Sequence, residues 1–217
     1  AGCVDVVFAG IVKRPDFGNL KLDVKGVSLL PKVLSAAKKG DDALLRVLVT
    51  EFEKQGFNVL GSHEVHRQLL APEGVIAGRH PNEDELIDIE HAARVVTATG
   101  TLDIGQGAVV CDGLVLAVEA QEGTDAMLDR CRTLPEEIRG TETNRKGVLL
   151  KRPKPVQELR IDLPTTGVST VEKVAAAGLA GLAVEAGGAL LLNRPRMIER
   201  AEELGIFIYG FDAEAGR

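Results

Sequence analysis

The stretch GAVVCDGLVLAVEA, residues 107–120, restricts the fold more than any other, because two apolar runs of strand length meet at Asp112-Gly113. Two residues with ready access to positive φ between such runs are a strong hairpin signal: the tight turn they allow matches the twist of paired strands. The second strand delivers the chain into Gln121, Glu122, Gly123, Thr124 and Asp125, where helical spacing begins near Thr124. A stiff antiparallel rail therefore ends in a polar loop at the start of a helix.

Strand and helix patterns alternate along the rest of the chain. VDVVFAG, residues 4–10, is a β-branched run closed by Gly and reads as a buried strand of parallel type. LLPKVLSAAKK and DDALLRVLVTEFEKQG carry helical spacing, the second with Asp41 or Asp42 as cap and Gly56 as stop, and FNVLGS follows as a strand. LIDIEHAARVVTATG is a helix ending at Gly100. Beyond the hairpin come GVLLKRP as a strand, STVEKVAAAG as a helix capped by Ser or Thr, and GLAVEAGGALLLN as a strand pair with a Gly turn. RPRMIERAEELG closes the pattern as a helix and IFIYGF as a final strand.

This alternation predicts an α/β fold. Gly, Pro and charge replace the apolar rhythm around APEGVIAGRHPNEDE, which predicts two domains. An N-terminal α/β domain with a partial Rossmann-like sheet takes residues 1–71, a linker 72–83, and a mixed α/β catalytic domain 84–217. The chain opens at Ala1 without Met, and AGCVDVVFAG reads as a helix end entering a strand, so an upstream segment is expected.

Composition narrows the function classes. With 45% hydrophobic and 27% charged residues among 217, the chain is an ordinary globular one. Aromatics at 3%, no Trp and a net charge of −6 argue against a nucleic-acid partner, which needs stacking faces and cationic surface. Cys3, Cys111 and Cys131 have no CxxC spacing, so neither a disulfide framework nor a zinc knuckle is indicated and the compartment reads as reducing. With no membrane-length apolar run and no signal-peptide layout, the chain reads as cytosolic, able to touch a membrane face. HEVH at 63–66 reads as polar surface rather than a metal site. No nucleophile elbow, Walker loop or GxGxxG occurs, which sets aside serine esterases, kinases and typical dehydrogenases.

Two regions carry candidate chemistry. Gly123 and Thr124 sit at a strand-to-helix junction, where unpaired N–H groups and the helix dipole suit a phosphate; the plainer alternative is that Thr124 caps the helix and Gly123 permits the turn. Neighbouring Glu119, Glu122 and Asp125 would repel an anion unless a cation lies between, which points to a Mg2+-bridged phosphate. The second region, KRPKPVQELRIDLPTTG, gathers Lys151, Arg152, Lys154 and Arg160 ahead of Asp162. Prolines flanking Lys154 stiffen the backbone, and pre-ordered cations suit a diphosphate. Asp162 either caps a turn or serves a phosphoanhydride hydrolysis by holding Mg2+ or water. Gly187 and Gly188 fit a hairpin turn as well as a phosphate turn.

DIGQGAVVCDGLVLAVEAQEGTDAML, GVLLKRPKPVQELRIDLPTTG and FAGIVKRPDF together resemble the LpxI family, UDP-2,3-diacylglucosamine pyrophosphatases of lipid A synthesis in Gram-negative bacteria, from Val4 to Phe211. The resemblance implies a two-domain α/β clamp that uses a divalent metal to cleave UDP-2,3-diacylglucosamine into UMP and 2,3-diacylglucosamine 1-phosphate (lipid X). Water is implied to attack the sugar-side phosphorus. The family's essential aspartate lies in an Asp-Leu-Pro-Thr motif, which falls on Asp162. Gln121, Gly123 and Thr124 are then expected to receive the phosphate, with Lys154 and Gln157 flanking it, and Asp162, Glu122 and Asp125 to face Mg2+. Asp162 is expected to lie opposite Thr124, and peripheral contact with the inner membrane is expected with a lipid substrate. The Gly-rich segment of the type IAGGG that precedes Ala1 in the family is not in this sequence. A glycolipid carrier and a sugar-nucleotide transferase stand as the alternatives.

Overall fold

The computed structural model describes residues 2–10, 22–38 and 40–213. Its contacts form two units, Ala1–Arg67 with Val156–Asp162, and Gln68–Pro155 with Leu163–Arg217. The motif FAGIVKRPDF lies, from residue 11 on, outside the described residues.

In the first unit β1 (Asp5–Val7) pairs in parallel with β2 (Asn58–Leu60), Asp5 opposite Asn58 and Val7 opposite Leu60. The pairing is the parallel one expected, but β1 is largely exposed rather than buried, with β2 as its one neighbour among the described residues. Between the strands run α1 (Val24–Ala37) and α2 (Asp41–Glu53). The expected aspartate cap of α2 is not formed: Gly40 takes the cap position, and Asp41 and Asp42 lie in the first turn, where the helix dipole favours acids. Gly56, at φ +87, closes the helix by donating its N–H to the Glu53 carbonyl, as expected. A short helix α3 (Ser62–Val65) holds HEVH up to Val65.

Asp42 has a larger task than capping. Its buried carboxylate accepts from Arg46 Nε and from the Glu158 backbone N–H, both at 2.6 Å. Arg46 also donates to the Val156 carbonyl at 2.5 Å, and Arg160 donates to Glu53 at 2.7 Å and to Glu158 at 2.9 Å. These charge-assisted bonds fasten residues 156–162 to α2 and make them part of the first unit. The Arg160 guanidinium is the main reason that the Glu158 carboxyl is held below the usual range.

The second unit is built on six strands: β3 (Gly74–Ala77), β4 (Gly107–Cys111), β5 (Leu114–Val118), β6 (Val148–Lys151), β8 (Gly181–Glu185) and β10 (Phe207–Phe211). They lie in the order β3-β10-β8-β6-β4-β5, parallel from β10 through β8 to β6 and antiparallel at the other pairs. The chain also forms α4 (Glu83–Gly100), α5 (Gly123–Cys131), β7 (Thr165–Thr166), α6 (Val168–Ala176), β9 (Leu190–Leu191) and α7 (Arg194–Leu204). The span expected to be a linker thus contains β3, an edge strand of this sheet. Its Gly and Pro neighbours hide a strand whose pairing partner, β10, is supplied by the far end of the chain.

Two further expectations change. GLAVEAGGALLLN is not a hairpin: β8 enters the large sheet, whereas β9 pairs in parallel with β7. Apolar runs on either side of Glu185 carry no alternation to reveal such a change of sheet. The helix α6 begins after Gly167 without a Ser or Thr side-chain cap.

Alternation along the central strands divides the core. Leu149 joins Met127, Leu128, Val171, Val174 and Met197 on the face covered by α5, α6 and α7. Val148 and Leu150 join Ile89, Ala92 and Val96 of α4 on the other face. The hairpin forms as expected: Asp112 at φ 50 and Gly113 at φ +79 make its turn. Asp88 of α4 secures that turn, accepting the N–H groups of Asp112 at 3.0 Å and Gly113 at 2.8 Å.

Asp88 is only 2% exposed, and burial raises its carboxyl above the usual value while the two amides pull it back. The folded chain therefore binds this proton more tightly than the unfolded chain, and the group's contribution to stability declines as pH rises from the ordinary aspartate value through the raised one. Asp88→Ala is expected to cost about 1–3 kcal/mol in urea unfolding, and Asp88→Asn to flatten that part of the stability–pH profile. Thiol titration of the folded protein should find Cys3, which is exposed, and spare Cys111 and Cys131, which are buried; burial pushes the Cys111 thiol up to about 11.

Candidate functional site

The last residue of β6 decides the local chemistry of the second unit. Strand alternation turns Lys151, like Leu149 two residues before it, toward the face covered by α5. The same period carries Glu119 to that face, two residues beyond Ala117. Both charges are buried, Lys151 at 4% and Glu119 at 6% exposed.

They meet through Thr124 in the first turn of α5. Lys151 Nζ donates to Thr124 Oγ1 at 2.7 Å, and Thr124 Oγ1 donates to Glu119 Oε1 at 2.9 Å. A longer approach of 3.4 Å joins Lys151 Nζ to the Thr165 carbonyl in β7. The cap position of α5 belongs to Glu122, whose side chain makes no capping bond. The plain reading of Thr124 as a cap is therefore not what the fold uses.

Gly107 is the floor of this cluster. It lies opposite Lys151 in the β4–β6 register, and its carbonyl accepts the Glu119 N–H at 2.9 Å. A Cβ on Gly107 would stand 2.7 Å from Glu119 Oε2. That oxygen and Thr166 Oγ1 are buried without a hydrogen-bond partner among the described residues.

The other expected residues are distributed as follows. Gly123 opens α5 at φ +78. Gln121, Glu122 and Asp125 are exposed, and Glu122 pairs with Arg130 at 3.0 Å. Lys154 pairs with Asp103 at 2.5 Å in the second unit. Gln157 and Asp162 belong to the first unit, where Gln157 is buried and its Nε2 donates to Asp162 Oδ2 at 2.6 Å. The Asp162 N–H donates to the Glu158 carbonyl at 3.1 Å, so the network on α2 also fixes the backbone that carries Asp162.

Among the described residues no group of three or more His, Cys, Asp or Glu side chains is placed to hold an ion, and of the expected trio Glu122 and Asp125 belong to the second unit and Asp162 to the first. The start of α5 exposes Glu122 and Asp125 while Thr124 reaches inward to Glu119 and Lys151. Asp162 and Thr124, expected to face each other, are described within their separate units.

Sequence reasoning did not identify Lys151 and Glu119 as the partners of Thr124. A signal was present: each is a charge placed directly at the end of an apolar run, VLLK and VLAVE. Of the four cations grouped in KRPKPVQELR, Arg152 pairs with Glu185 at 2.7 Å, Lys154 with Asp103, and Arg160 with Glu53 and Glu158. Lys151 reaches the Glu119 carboxylate through the Thr124 hydroxyl.

Comparison with known proteins bears on both units. The model of the LpxI N-terminal domain matches residues 1–69, and that of the LpxI C-terminal domain matches residues 72–209. A relative from Caulobacter vibrioides (strain ATCC 19089 / CIP 103742 / CB 15), UDP-2,3-diacylglucosamine pyrophosphatase LpxI, is 53% identical over 213 residues, which are 98% of this chain and 76% of the relative.

The contact between Glu119 Oε2 and Gly107 gives a direct test. Gly107→Ala is expected to push the Glu119 carboxylate out of place and destabilise the fold by about 1–3 kcal/mol, the usual range for overpacking. Adding Glu119→Ala, which removes the colliding atoms, should then cost less than the sum of the single changes, as measured by urea unfolding.

Proposed function

The chain belongs to the LpxI family, and on that membership we propose that it hydrolyses the diphosphate of UDP-2,3-diacylglucosamine to UMP and lipid X in lipid A synthesis. The observation that carries the reading is the match of both domain models together with 53% identity across 98% of the chain to a relative named for that activity. A short shared motif would not carry as much.

In the proposed reaction a water oxygen forms a bond to the sugar-side phosphorus as the anhydride P–O bond to UMP breaks; UMP leaves with that electron pair, and the proton lost by the water passes to solvent. Such a step needs charge neutralisation and an aligned water more than covalent catalysis. Asp162 is the residue proposed to orient the water. The Gln157 amide at 2.6 Å fixes one carboxylate oxygen, and the backbone bond to Glu158 fixes the residue itself. Gly123 and the first turn of α5 are proposed to lie toward phosphate, where the helix dipole favours an anion.

Divalent-cation dependence is part of the proposal. Mg2+ commonly binds through one or two carboxylates together with substrate phosphates, so Asp162 suffices as its protein anchor, and the ion would neutralise charge on the diphosphate. Two acyl chains also place the encounter with substrate at the cytoplasmic face of the inner membrane. No described helix is long and apolar enough to cross a membrane, which fits a peripheral approach.

The test is UMP release from labelled UDP-2,3-diacylglucosamine, with and without EDTA. Asp162→Ala is expected to slow release by about a hundred- to ten-thousand-fold, and EDTA to suppress it. Undiminished turnover in Asp162→Ala would sink the catalytic assignment, whereas tight lipid binding with no turnover in the native sequence would favour a carrier.

A further inference from the structure

The proton count at Thr124 reaches beyond this reading. A lysine ammonium only donates, so at 2.7 Å the Thr124 oxygen must accept from Lys151. The single hydroxyl proton of Thr124 then goes to Glu119 Oε1, an ionised carboxylate being an acceptor. Nothing remains on that side chain to donate to a phosphate oxygen. The Thr124 hydroxyl is therefore committed within the fold, and the phosphate role expected of this turn falls to its backbone N–H groups.

Lys151 is placed differently. Its ammonium lies against the first turn of α5, the positive end of the helix dipole, where a cation is unfavourable and an anion is welcome. The Glu119 carboxylate reaches it through a hydroxyl, and one oxygen of that carboxylate is buried without a hydrogen bond among the described residues. A buried charge arrangement of this kind gives no net stability over apolar packing, and charges held this way concentrate at functional sites.

We propose that Lys151 is the cation that meets the substrate's diphosphate in this unit, and that Thr124 and Glu119 are positioning residues whose side chains hold it without donating to phosphate. The proposal rests on the diphosphatase reading above. Glu119 takes the Thr124 proton, which turns a lone pair of Thr124 toward Lys151 and fixes the ammonium at the end of β6.

Two measurements separate this proposal from the reading beneath it. The first is a kinetic cycle on UMP release with Thr124→Val, Thr124→Ser, Lys151→Met and the Val/Met double variant, thermal unfolding being followed for each. Thr124→Val should lower kcat on the order of a hundred-fold with KM little changed, and Thr124→Ser should restore most of the rate. The double variant should be no slower than Lys151→Met alone, because both changes remove one interaction. Independent effects that multiply, or a Thr124→Val variant that raises KM and keeps kcat, overturn the proposal. If Lys151→Met does not fold, Glu119→Gln replaces it in the cycle under the same criteria.

The second measurement needs no turnover: the 15N signal of the Lys151 ammonium, assigned by comparison with a Lys151→Arg sample. It should shift or broaden beyond detection in Thr124→Val and persist in Thr124→Ser. An unchanged signal in Thr124→Val overturns the positioning role. If the native protein releases no UMP while the signal responds as expected, the positioning role stands and the diphosphatase reading alone falls.

Discussion

Lys151 ends a strand whose three preceding residues are fully buried, so its ammonium has to be received inside the fold. The receiving group is a hydroxyl on the first turn of α5, and that hydroxyl is in turn held by the carboxylate that ends the hairpin. Three elements thereby share one polar junction: β6, the β5 end and the start of α5. The large sheet makes the junction possible, because its alternation delivers both charges to one face. Glycine at 107 makes it compact, since the carboxylate occupies the space where a side chain would stand. Desolvating two charges gives little net stability, and the apolar layers on either side of the sheet supply what holds the unit together.

The first unit uses charge in another way. Asp42, Arg46, Glu53, Glu158 and Arg160 form a network that ties residues 156–162 to α2. Part of it is exposed to water, and exposed ion pairs are individually weak. The strength of the fastening lies in Asp42, which is buried and satisfies a backbone N–H as well as a guanidinium. Glu158 then passes the order on, accepting the N–H of Asp162. Gln157 and Asp162 sit two and seven residues past Pro155, the last proline of the basic run, on a backbone already anchored at both the Glu158 N–H and carbonyl.

Much of the fold could be read in the sequence where the signal is local. The Asp112-Gly113 turn, the Gly56 stop and the strand-to-helix change near Thr124 each depend on a few adjacent residues. What stayed hidden depends on partners far along the chain. GVIA at β3 looks like part of a Gly-Pro connection until β10 arrives beside it. Leu190 and Leu191 look like the return strand of a hairpin until Thr165 and Thr166 claim them. The basic run showed which residues are cationic but not which carboxylates receive them, so Lys154 and Arg160, opposite Asp103, Glu53 and Glu158, carry less free charge than their spacing suggested. The family motif is the basis on which Asp162 is proposed. It did not indicate that Glu119 and Lys151 complete the surroundings of Thr124.

The return of Val156–Asp162 to α2 also sets an order in time. Asp42 and the N–H it accepts are 116 residues apart in sequence. A ribosome working from the N-terminus finishes α2 long before the residues that close around it exist, so this part of the molecule waits, with its acid and arginine in water, until most of the second unit has been made. A fragment cut where the N-terminal family model ends, at residue 69, would carry Asp42 and Arg46 without ever receiving residues 156–162.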